Sequence, residues 1–211
     1  MPRTGPPPGR VLSPMRAEKR PTTIRRAEIV RAALFLISSG GLKALSVAAI
    51  AHLCGLAPSA VYRHFKGKDD IIDGVLDLIG SMLAENRDRA LTSGAAPGEA
   101  LKRLFDLHIR MIMENRGIPR LLFSDEPYAG RADRKRKVYR IIHGYLDHVH
   151  TYIEAAQKDN TLGKRHSPST LAYLFLGLVQ PSAILWHLSD GREDITRLSS
   201  GAWDAYHEVL T

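Results

Sequence analysis

Between Ser46 and Lys68 the chain runs SVAAIAHLCGLAPSAVYRHFKGK, two short helical patterns on either side of a turn. Ser46 is placed to cap a helix reaching Leu53, with Val47, Ile50, Ala51 and Leu53 supplying its apolar face. Gly55 provides the left-handed backbone that a turn at Cys54-Gly55-Leu56 requires. Pro58 then falls in the first turn of a second helix predicted over 57–65, where its missing N–H costs nothing. Val61 and Phe65, four apart, face inward, and Ser59, Ala60, Tyr62, Arg63 and His64 point away from that seam. The pattern is a helix-turn-helix whose outer face presents a hydroxyl, a phenol, a guanidinium and an imidazole, a set that suits a DNA groove. The plain alternative is a helical hairpin with a polar outer face.

Charge separates the two. Residues 1–68 carry twelve Lys and Arg against two acidic residues, whereas residues 69–211 carry eighteen against twenty, so the whole net charge of +8 belongs to the end that holds the helix-turn-helix. A segregated basic module on a near-neutral partner is the electrostatic footprint of phosphate binding. Residues 1–22 are proline-rich and basic without apolar periodicity, which predicts a disordered arm. Arg3, Arg10, Arg16, Lys19 and Arg20 are placed to follow the minor groove or the phosphates, and Met15 is a second in-frame start that would remove most of the arm.

The remaining periodicities are helical and predict an all-α chain. A first helix begins at Thr22 or Thr23 as its cap and ends at Gly40-Gly41, with Ile24, Ala27, Ile29, Val30, Ala33, Leu34, Leu36 and Ile37 in its apolar stripe. A long helix over 68–91 opens on Asp69-Asp70, where the helix dipole favours carboxylates, and turns Ile71, Ile72, Val75, Leu76, Ile79 and Leu83 inward. Further helices follow over 99–115 and 131–157, with a short segment at 120–125 between them. The basic run 131–140 is expected to be a solvated face, because no aromatic or groove-entering pattern accompanies it. The helix over 169–188 is apolar on more than one face and is expected to be buried on both sides. A last helix follows Asp190-Gly191.

The single cysteine, Cys54, excludes an internal disulfide framework and fits a small buried hydrophobe. No apolar run is expected to reach the eighteen or so residues of a membrane helix, and the N-terminus lacks a signal peptide's apolar core, which together predict a cytoplasmic protein with no membrane partner. His143, Asp147 and His150 share one helical face, but no HExxH pair or cysteine cluster joins them. No metal, cofactor or catalytic constellation is therefore assigned, and no enzyme activity is expected.

The run Gly55 to Ile71 (GLAPSAVYRHFKGKDDI), with Gly40-Gly41 and Leu45 to Ala51 before it, closely resembles the signature of TetR-family transcriptional regulators. The resemblance covers about residues 24–80. It implies a three-helix DNA-binding domain over 23–68, joined to a helical ligand-binding and dimerisation domain over 69–211. By position it implies phosphate contacts from Tyr62, His64 and Lys68, from Ser46 and Val47 at their helix N-terminus, and from Arg25 and Arg26 in the first helix. Pro58, Ser59, Ala60 and Arg63 occupy the positions that face base edges, and Arg63 is the candidate for a bidentate guanine contact. Pro58 and Ala60 depart from many relatives, since neither donates a useful hydrogen bond. The family arrangement further implies a homodimer through the last two helices, with Gly177 and Ala183 permitting close approach, and a double-stranded palindromic operator. A small, mostly apolar effector would sit in a pocket walled by Leu104, His108, Met111, Leu122, Phe123, His143, Leu146, Phe175 and Val179. A ligand-independent DNA-binding protein whose C-terminal half only dimerises stays open beside a repressor released by its effector.

Overall fold

The computed structural model describes residues 21–92 and 94–211; the arm predicted over 1–22 lies almost wholly outside them. Nine α-helices make up the described chain: α1 (Thr22–Ala44), α2 (Val47–Leu53), α3 (Pro58–Tyr62), α4 (Lys68–Leu91), α5 (Pro97–Glu114), α6 (Gly117–Leu122), α7 (Ala132–Lys158), α8 (Pro168–Leu188) and α9 (Ile195–Leu210). A single 3-10 turn at Glu126–Tyr128 joins α6 to α7, and no strand occurs among the described residues.

The first three helices wrap a small core. Ile29, Val30, Ala33, Leu34 and Ile37 of α1 pack on Ile50, Val61 and Phe65, and the same cluster continues into the inward row of α4. All six apolar residues predicted for that row, Ile71, Ile72, Val75, Leu76, Ile79 and Leu83, are buried. Two helix starts differ from expectation. Neither Thr22 nor Thr23 caps α1: both lie in its first turn, and the Pro21 carbonyl accepts the first helical bond, from Arg25 N–H at 3.0 Å. The predicted stop is real, because Gly41 has φ +68° and breaks the helix there, although a further turn runs on to Ala44. Segment 120–125 also starts earlier than predicted, at Gly117. The Leu34 carbonyl approaches so closely that a Cβ at Gly117 would sit 2.5 Å from it, so only glycine permits this crossing of α1 and α6.

The basic run at 131–140 is a solvated face only in part: Lys135, Arg136 and Arg140 are exposed, whereas Arg131, Arg134 and Lys137 turn toward α4. Arg134 is 2% exposed, its Nε donating to Asp73 at 2.8 Å and its Nη atoms to Asp69 at 3.1 Å and the Pro127 carbonyl at 2.6 Å. Arg131 reaches Asp69 and Asp73 at 3.2 and 3.3 Å, and Lys137 pairs with Asp77 at 2.6 Å. The three aspartates recur every four residues along one face of α4, and the basic start of α7 lies along them.

Helix α8 also corrects two expectations. Its 21 residues carry no Asp, Glu, Lys or Arg, so by length and composition it is long and apolar enough to cross a membrane. Scattered Ser, Thr, Gln and Pro181 hid that run in the sequence. It packs into the helical core rather than standing apart, but only one of its faces is covered. Leu171, Ala172, Phe175, Val179, Ala183 and Trp186 are buried, while Tyr173, Leu174, Ile184, Leu185 and Leu188 are exposed. Ala183 therefore faces its own core, and Gly177 alone of the two small residues lies on the open face.

Truncating the buried Arg134 guanidinium strips the Pro127 carbonyl of its donor and leaves Asp69 and Asp73 to Arg131 alone. Arg134→Ala is expected to lose about 3 kcal/mol of stability in urea denaturation, against less than about 1 kcal/mol for Lys102→Ala in an exposed helical pair.

Candidate nucleic-acid interface

Ser46 caps α2 as predicted, its Oγ accepting from Ala49 N–H at 3.1 Å. Val47 follows at the first helical position, half-buried. Gly55 has φ +64°, and the Leu56 amide closes the turn on the Ala51 carbonyl at 2.8 Å. The second helix is shorter than predicted: α3 is regular only to Tyr62, and single bonds from His64 and Phe65 N–H to the Val61 carbonyl carry the turn onward.

Burial along this helix is wider than a Val61–Phe65 seam. Ala60 is 7% exposed and His64 half-buried, so the inward stripe is 60, 61, 64 and 65. Ala60 thus turns toward the domain core instead of outward, because it lies one turn before His64 on the flank of that stripe. The outward face is Pro58, Ser59, Tyr62 and Arg63, all exposed, with Tyr62 at 57%.

His64 sits at the boundary. Its Nδ1 is buried with no hydrogen-bond partner among the described residues. Burial first, then the charges of Arg63, Arg25 and Arg26, hold its pKa below the ordinary imidazole value. A neutral ring with an unpaired buried nitrogen loses least when that nitrogen is the bare acceptor, which leaves Nε2–H as the donor.

The other cations are partly engaged within the chain. Arg26 donates to the His64 carbonyl and lays its guanidinium 4.0 Å from the Phe65 ring centre, bracing the turn after α3. Arg25 pairs with Glu28 at 2.7 Å. Lys68 donates to the Leu42 carbonyl at 2.7 Å, and Asp70 accepts from Lys66 N–H at 2.9 Å, so the first turn of α4 is stitched to the segments around it. Beneath α2, burial and then the charge of Glu28 push the Cys54 thiol up, which keeps it protonated.

In the C-terminal half, five of the nine expected pocket residues gather in the interior: Leu104, His108, Met111, Phe175 and Val179 are buried. The others depart from expectation. Phe123 is 47% exposed just beyond the end of α6, and Leu122 and Leu146 are half-buried. His143 is on the outer face of α7, its ring beside Tyr139 and its Nδ1 3.7 Å from Asp147. Tyr145, two positions along and so turned through more than half a helical circle, is the polar group that points inward. Its hydroxyl meets His108 Nδ1 at 3.2 Å. Phe105, Phe175, Trp203 and Tyr206 fill the neighbouring centre, with ring centres 5.5–6.2 Å apart. Open volume lies instead along α4: a cavity of about 630 Å³ bordered by Arg31, Phe35, Met82 and Met113, and one of about 420 Å³ between α4 and α7.

Residues 29–75 match the family model described as bacterial regulatory proteins, tetR family. The chain is 20% identical over 183 residues to the fatty acid metabolism regulator protein of Bacillus subtilis, a match that covers 87% of this chain and 92% of that one. It is 30% identical over 102 residues to the HTH-type transcriptional repressor KstR2 of Mycolicibacterium smegmatis, spanning about half of each chain, 48% and 49%. In structure it resembles the transcriptional regulator FadR from Bacillus subtilis, solved in complex with stearoyl-CoA, with a TM-score of 0.73, 18% identity and coverage of 88% of this chain and 99% of that one. At that identity the likeness is one of fold.

Burial holds the His108 pKa down to about 4. The folded chain therefore refuses a proton that the unfolded chain accepts below about pH 6.5, so this contribution is full above that pH and is lost as pH falls toward 4. The loss should reach about 3 kcal/mol, and a His108→Gln variant, compared by denaturation across the same range, should lack it.

Proposed function

We propose that the chain, whose residues 29–75 match the tetR-family model, is a DNA-binding transcriptional regulator of that family, a repressor that binds a palindromic operator as a dimer and leaves it when a small, mostly apolar effector binds. The observation that carries this reading is the outward face of α3. Ser59, Tyr62 and Arg63 are exposed side by side while Val61 and Phe65 anchor the helix from beneath. Arg63 offers a guanidinium fork to a guanine, and Tyr62, His64 and Lys68, with Ser46 and Val47 at the start of α2, are the proposed phosphate contacts. Arg25 and Arg26 stand close enough to add to them once their contacts with Glu28 and the His64 carbonyl rearrange. With Ala60 turned inward and Pro58 unable to donate, discrimination falls on Arg63, Ser59 and DNA shape.

One such unit reads few base pairs, and a two-fold dimer places two reading helices in major grooves about 34–36 Å apart or a multiple of that. The open apolar face of α8, Tyr173, Leu174, Ile184, Leu185 and Leu188, supports that dimer, since a patch of this kind on a single chain marks a contact surface. A protein that works on DNA in this way belongs in the cytoplasm. The effector's apolar character is supported by the regulator of similar fold solved with stearoyl-CoA. Packing of Phe105, Phe175, Trp203 and Tyr206 at the centre favours a second reading, a ligand-independent DNA-binding dimer, which would show no effector response.

Binding to the chain's own upstream DNA in a salt series tests this. Arg63→Ala should lose about 1–3 kcal/mol of specific over non-specific affinity, whereas Tyr62→Ala should weaken all sequences alike. Leu185→Glu with Leu188→Glu should give monomers without specific binding. Affinity that ignores sequence and falls equally in the Arg63 and Tyr62 variants would refute the operator reading.

A further inference from the structure

Six cations crowd residues 131–140, and α7 divides them by face. Arg131, Arg134 and Lys137 turn to α4, where Asp69, Asp73 and Asp77 take them up. Lys135, Arg136 and Arg140 turn away from α4, are exposed, and pair with no acidic side chain among the described residues. Arg136 and Arg140 lie one turn apart, where like charges repel, and nothing described offsets them. Tyr139, 63% exposed, stands among the three, and its phenol can donate to a phosphate oxygen.

This patch lies at the end of the C-terminal half nearest the reading helix. Helix α7 runs beside α4 in the same direction: Arg131 and Arg134 meet Asp69 in the first turn of α4, Lys137 meets Asp77, and Ile141 packs beside Gly80. Asp69 directly follows Lys68, a proposed phosphate contact, and Lys66 is exposed just before it. Lys135 and Arg136, four and five residues past Arg131, are therefore only about 6–8 Å along α7 from the level of that first turn. Helical side chains lean toward their own N-terminus, which here is the direction of the reading helix. Arg140 shows that lean directly: its Nε donates to the Arg136 carbonyl at 3.4 Å, which draws the guanidinium back toward the start of α7.

Resting on the DNA-binding reading above, we propose that Lys135, Arg136 and Arg140 form a second phosphate-contacting surface, supplied by the C-terminal half, that bears on the DNA backbone beside the phosphates assigned to Lys68. Flexible cations on an exposed helix face hold phosphates and read no bases, so the surface adds affinity without sequence preference. The aspartates of α4 set its composition: they take up the three inner cations and leave the outer three free for DNA. Both halves of the chain then hold the same duplex.

Equilibrium binding of the full chain to its own upstream duplex and to an unrelated duplex of equal length, each over a salt series, tests this surface. Lys135→Gln with Arg136→Gln should weaken both duplexes about tenfold near 0.15 M salt, and should make log K against log salt shallower by about 1–2, since each phosphate contact contributes roughly 0.9. Lys164→Gln with Arg165→Gln removes the same charge from exposed positions beyond the far end of α7, and should leave affinity and slope unchanged. Matched circular dichroism and thermal midpoints establish that both variants fold. An unchanged slope in the Lys135 and Arg136 variant, an equal loss in the Lys164 and Arg165 variant, or a loss confined to the upstream duplex would each overturn the surface. If Arg63→Ala still abolishes preference for the upstream duplex in any of those cases, the regulator reading stands without it. A shallower slope on both duplexes, with no preference between them in the wild type, keeps the surface and refutes the operator reading.

Discussion

Two links join α3 and its neighbours to the C-terminal half: α4, and the crossing of α1 by α6 at Gly117. The inward row of α4, Ile71 to Leu83, belongs to the same continuous core as α1 on one side and α5 on the other, so the helix cannot shift without repacking both. Its first turn is fixed at short range: Lys68 holds the Leu42 carbonyl, and Asp70 holds the amide of Lys66, just past α3. A few residues on, Asp69 and Asp73 hold the buried guanidinium of Arg134. The position of Tyr62 and Arg63 relative to the rest of the chain is thus set, alongside the crossing of α1 and α6, by a helix gripped at successive turns by two different parts of the protein.

The grip from α7 differs in kind from the other ion pairs. Pairs such as Lys102–Asp106 and Lys158–Glu154 lie in solvent and contribute little. Arg134 has left water, and its fork is satisfied by two carboxylates and the Pro127 carbonyl at once. Desolvation offsets much of the attraction in such an arrangement, so its net effect on stability is small while it stays whole and large once a partner is removed. That is the behaviour of a register device: it is intact or broken, with little between. A lysine would supply the charge but not the planar set of donors.

Much of this was legible in the sequence, and the failures have local causes. The cap at Ser46, the glycine turn and the inward row of α4 depend on neighbours within a turn or two, and periodicity suffices for those. The acidic ladder at 69, 73 and 77 was equally visible, but its partners lie about sixty residues away, and without a tertiary contact the basic run at 131–140 looks like any solvated face. The sequence suggests His143 for the pocket wall and gives no sign of Tyr145; a rotation of two positions along α7 separates them, and only packing fixes which points inward. Ala60 failed in a similar way, since a five-residue helix pressed flat against its domain buries a stripe wider than an i, i+4 pair indicates. The apolar length of α8 was hidden by uncharged polar residues, and its two faces, one covered and one open, separate only when the monomer's own packing is known.

A hydroxyl-radical footprint of the wild-type protein on its upstream DNA tests the central claim, that α3 reads DNA as one of a two-fold pair. The account predicts two protected windows related by dyad symmetry, centred about one helical turn or a whole multiple of it apart, with Ser59, Tyr62 and Arg63 facing the groove between protected phosphates. A single window, or protection without symmetry or phase, would contradict it.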